Sequence, residues 1–133
     1  MSIDLTAQDK LTLRTAAYGA VSLLAATAGS PHKVATHGSI ALHSATGTVG
    51  HVLAEKSEVG DLGGKSTAEL ADKVLPALTE AMTVLKKQDA AEADNFRGTV
   101  LLALQTGVQA AKKGPTPVMT AMVEKITAAL DAA

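Results

Sequence analysis

The sequence predicts an all-α fold: a single domain over residues 1–133, built as a bundle of about five helices around a buried N-terminal helix. Three observations carry this. Residues 11–28 (LTLRTAAYGAVSLLAATA) hold no charge after Arg14, and none follows until Lys33; Leu11, Leu13, Tyr18, Val21, Leu23 and Leu24 fall on all sides of a helical wheel. A helix without a polar face belongs at the centre of a domain. Two later stretches each carry one apolar stripe at helical spacing: Ala71, Val74, Leu75, Leu78, Met82 and Leu85, then Met119, Met122, Val123, Ile126 and Leu130. Each stripe follows residues suited to start a helix.

Composition narrows the function classes. The chain has 133 residues, no cysteine and a net charge of −1. Length alone favours one domain with a self-sufficient core. Without cysteine there are no disulfides and no thiolate-bound metals, which fits a reducing cytoplasm. Acids and bases are evenly spread, five of each in residues 1–65 and eight against seven in residues 66–133. Nucleic-acid binding needs a basic footprint and usually stacking aromatics. The only aromatics here are Tyr18 and Phe96, so no nucleic-acid partner is expected. Residues 15–25 could imitate the apolar core of a secretory signal, with Ala26-Thr27-Ala28 shaped like a cleavage site. Asp4 and Asp9 offset Lys10 and Arg14 before it, so secretion after cleavage near Ala28 is the lesser alternative. Gly29 and Pro31 cut the apolar run too short for a membrane span.

Taken in order, Thr6 suits an N-cap with Asp9 in the capping-box position, and Gly29-Ser30-Pro31 ends the first helix. Gly19 in its middle implies a neighbouring helix crossing close by. A second helix is expected from about residue 31 to 44, a break near residues 47–50, and a helical piece to about residue 56. Small residues dominate this region, including Gly38, Ala41 and Ala45, and such a surface suits close backbone approach inside the chain or between subunits. Residues 60–64 (GDLGG) read as a loop. Ser66 and Glu69 form a second capping box ahead of the helix at about 67–87, where Pro76 removes one ladder hydrogen bond and predicts a kink. Lys86 and Lys87 close that helix, and Asp89, Glu92 and Asp94 open the next, each suiting a helix dipole end. Phe96, Val100, Leu101, Leu104 and Val108 form its stripe, and Lys112-Lys113-Gly114 ends it. Thr116 caps the last helix, with Pro117 at its first position.

Candidate sites are few. Gly60-Asp61-Leu62-Gly63-Gly64-Lys65-Ser66 is one residue short of a phosphate-binding P-loop and lacks a preceding strand. A free anion held by Gly63, Gly64, Lys65 and Ser66 at the helix N-terminus is the chemistry it could support; a flexible loop ending in a cap is the simpler account. The four histidines all lie between residues 32 and 51, but His37, His43 and His51 are six and eight apart and diverge on a helix. His51 and Glu55, one turn apart, could supply two metal ligands, to be completed by an acid from residues 89–94. No nucleophile elbow is present, and every carboxylate has a capping, dipole or solvent role. Met82, Met119 and Met122 could line an adaptable pocket but fit core positions.

The reading therefore leans away from catalysis. It expects a non-catalytic helical module that self-associates as a dimer or binds another protein through Gly38, Ala41 and Ala45, with no cofactor. Two alternatives stay open. One is an anion-binding protein using residues 60–66. The other is a metal- or acid/base-dependent enzyme with its site between helices.

Overall fold

A computed structural model describes residues 4–28, 31–55, 66–112 and 115–133. The described residues form six helices and no strand: α1 (Ala7–Ala26), α2 (Pro31–His43), α3 (Gly47–Ala54), α4 (Thr67–Gln88), α5 (Ala90–Ala110) and α6 (Pro117–Asp131). The sixth arises because the region after α2 folds into a separate short helix. The expected break near residues 47–50 lies earlier, at residues 44–46, and Gly47 begins α3 instead of ending a helix.

Local signals account for the starts of α1, α4, α5 and α6. Thr6 and Asp9 make the reciprocal capping box, Asp9 N–H donating to Thr6 Oγ1 at 3.0 Å and Thr6 N–H to Asp9 Oδ2 at 3.1 Å. Ser66 Oγ accepts the Glu69 N–H at 3.2 Å, and Thr116 Oγ1 accepts the Met119 N–H at 3.2 Å ahead of Pro117. Asp89 serves two helices: its N–H caps the end of α4 on Leu85 O, and its carboxylate accepts the Ala91 N–H at the start of α5. α4 runs through Pro76, which lies on its exposed side.

The core is one cluster of aliphatic side chains with Phe96, Met82, Met119 and Met122. α1 supplies much of it but is not enclosed on all sides, since Gln8, Leu11, Tyr18, Ser22 and Ala26 form a stripe that keeps some exposure. It touches all five other helices, and so does α5, so two helices share the centre. Close crossings are set by missing side chains. A β-carbon at Gly19 would lie 2.5 Å from Val74 Cγ2, which is how α4 packs onto α1. At Gly38 it would lie 2.8 Å from Val21 Cγ1 and 3.5 Å from Ala103 O, where α2 sits against α1 and α5. Burial of apolar surface at these crossings is the main stabilising term. Among the described residues no helix is long and apolar enough to cross a membrane.

Candidate functional site

The two flanks of α5 are filled differently. α5 packs mainly on α2, and α6 packs mainly on α4. Thr79 Oγ1 of α4 donates to Ala129 O of α6 at 2.6 Å, which fixes α6 on that side. At one end α5 and α6 are clasped by a bidentate ion pair, Arg97 Nε to Asp131 Oδ1 at 2.7 Å and Nη2 to Oδ2 at 3.1 Å. The hydrogen bond raises the Arg97 pKa and lowers that of Asp131, in each case the largest cause of the shift.

Beyond the clasp the two helices leave an open groove of about 380 Å³. Leu101, Gln105 and Val108 line it from α5, one helical face at i, i+4 and i+7; Thr120 and Val123 line it from α6, and Pro115 lies at the turn end. Among the described residues the walls are aliphatic with two neutral polar side chains and no charge, so the groove suits apolar matter with hydrogen-bonding edges. Beside it in sequence, and on the same two helices, stand Val118 at 61% exposure and Leu102 at 48%. A smaller hollow of about 230 Å³ between α1 and α4 has mixed walls that include Thr12, Lys73 and Glu80.

A second cluster gathers polar side chains at the junction of α1 with α3. Lys10, Arg14 and Tyr18 recur at four-residue spacing along α1 and face the end of α3. Tyr18 OH donates to Leu53 O at 2.7 Å, and its ring meets His43 edge-on at 5.9 Å between centroids. Burial raises the Tyr18 pKa above its ordinary 10.0, opposed by the charge of Arg14. Arg14, only 7% exposed, lies 3.4 Å from Glu55 Oε2, while Lys10 Nζ at 3.9 Å and His51 Nε2 at 3.6 Å approach Glu55 Oε1.

This places the predicted metal pair. His51 and Glu55 are together, but two cations also face the carboxylate and oppose a further positive ion. Of the acids that were to complete the set, Glu92 points to the start of α3, where its Oε1 accepts the Thr48 N–H at 2.6 Å. Among the described residues no three His, Cys, Asp or Glu side chains gather to hold a metal, and no buried side-chain polar atom lacks a partner.

The small residues of the expected interface lie largely inside the chain. Gly38 and Ala41 are buried and Ala45 is half-buried. The bulk absent at Gly38 admits Val21 of the same chain, so its smallness serves packing within the chain. Of the anion loop, Gly63, Gly64 and Lys65 lie outside the described residues. Ser66 is described, and its hydroxyl is engaged as the cap of α4.

Sequence reasoning missed the groove. Leu101 and Val108 were assigned to the core stripe of α5, yet both are half-buried and widen that stripe toward α6. The width of the stripe was the available signal. No protein-family model matches the chain, and no curated protein and no solved structure matches it.

Proposed function

We propose that this chain is a non-catalytic helical-bundle module that self-associates through the α5–α6 face. The observation that supports the reading is an aliphatic groove of about 380 Å³ between α5 and α6, with Leu102, the neighbour of the wall residue Leu101, exposed at 48%. A twofold axis through this face sets the exposed Leu102 of one copy against the groove of the other, the arrangement an isologous dimer requires. Uncharged walls suit an interface centre, where charge is costly to desolvate. Self-association thus moves from the α2 residues to a different face. The bundle acts as one unit of residues 1–133, and its cysteine-free composition suits a reducing cytoplasm.

Native mass spectrometry on gently purified protein tests this. A dimer without added mass is the expected spectrum. A monomer that retains a small apolar molecule would overturn the reading and make the groove a ligand pocket.

A further inference from the structure

α3 is held differently from the starts of α1, α4, α5 and α6. Its eight residues are too few to be helical alone. Thr46 stands at its N-cap without a side-chain cap bond, and Gly47 enters the helix at φ 72°, a left-handed conformation that favours glycine. The missing cap is supplied from α5. Glu92 Oε1 accepts the Thr48 N–H, and Asn95 Nδ2 donates to Thr46 O at 2.8 Å and to Glu92 Oε2 at 3.1 Å. The other end is supplied from α1, where Tyr18 OH donates to Leu53 O, and Arg14 and Lys10 meet Glu55. Between these polar attachments only Val49, Val52 and Leu53 bury large side chains, against α1, α2 and α5.

We infer that α3 is a strap that opens as a unit about Gly47 before the bundle unfolds, with the Glu92–Asn95 pair as its latch. Three buried aliphatic side chains return little against the conformational entropy of a whole segment, so the borrowed caps decide whether α3 stays down. Opening uncovers the apolar faces of α1, α2 and α5 that Val49, Val52 and Leu53 cover. The bundle then offers a second, conditional apolar surface, independent of the α5–α6 face.

Hydrogen exchange read by mass spectrometry on the full chain tests the inference. In the wild type, amides of residues 49–54 are expected to exchange at least tenfold faster than the core amides of α5. Glu92→Ala should speed residues 49–54 by a further factor of about ten, the scale of a hydrogen bond to a charged group. Glu92→Gln, which keeps an acceptor, should give a smaller increase. If Glu92→Ala does not fold, Asn95→Ala serves, with an increase of a few-fold expected in the same residues. Equal protection of α3 and α5 in the wild type, or an equal acceleration of all helices in the variants, would overturn the strap.

Discussion

α5 shows two solutions to the same packing problem. On its α2 flank, Gly38 lets the backbones approach until Val21 and the Ala103 carbonyl fill the space. On its α6 flank, Leu101, Gln105 and Val108 face Thr120 and Val123 across a groove. Small residues close the first contact and large ones leave the second open. Small residues had looked like a surface made for a partner, yet they are consumed within the chain, while the aliphatic side chains left over face outward. A small-residue stripe therefore does not by itself mark an interface.

The strongest way to break this contrast is to fill the closed flank. Gly38→Val should destabilise the fold by about 1–3 kcal/mol through overpacking against Val21, read as a lowered thermal midpoint. Val123→Ala on the open flank should cost less, about 0.5–1 kcal/mol, because its side chain is only half-buried. Equal losses would erase the distinction between the flanks.

The polar fastenings sharpen the comparison at smaller scale. Tyr18→Phe removes the bond to Leu53 O and should cost about 1 kcal/mol. Because folding raises the Tyr18 pKa above 10.0, its contribution is complete below that pH and is lost as pH rises through the folded value. Denaturant titrations across the alkaline range should show this slope in the wild type and lose it in Tyr18→Phe.

The smallest effect is expected at the clasp of the groove. Asp131 has its pKa lowered from 3.8 by Arg97, so it stabilises the fold above that pH, and the contribution is lost as pH falls through the folded value. Midpoints of the wild type and Asp131→Asn should differ slightly near neutrality and converge in acid. Both side chains are solvent-exposed enough for added salt to narrow the difference.

What was legible in the sequence is what neighbouring residues determine. The capping box at Thr6, the caps at Ser66 and Thr116, Pro117 at a helix start and the stripes of α4 and α6 depend on residues three or four apart, and all stand in the structure. The close crossing at Gly19 was also legible, since a mid-helix glycine needs a reason. A helical piece ending near residue 56 was legible too, but the start of α3 was not, because its cap comes from Glu92 and Asn95, more than forty positions away. Glu92 looked fully explained as an acid in the first turn of α5. The groove escaped for a related reason: half-buried and buried aliphatic residues share one periodicity, and only the docking of α6 on α4 separates them.

The account rests most heavily on the α5–α6 face, and one variant addresses it directly. Leu102 is exposed in the middle of α5, where glutamate is a good helix former, so Leu102→Glu should leave the fold intact. Sedimentation over a concentration series, with Leu102→Glu beside the wild type, is the measurement. The account predicts a dimer for the wild type and a shift to monomer for the variant, with circular dichroism unchanged. A wild type that stays monomeric at the highest concentrations, or a dimer indifferent to Leu102→Glu, would contradict it.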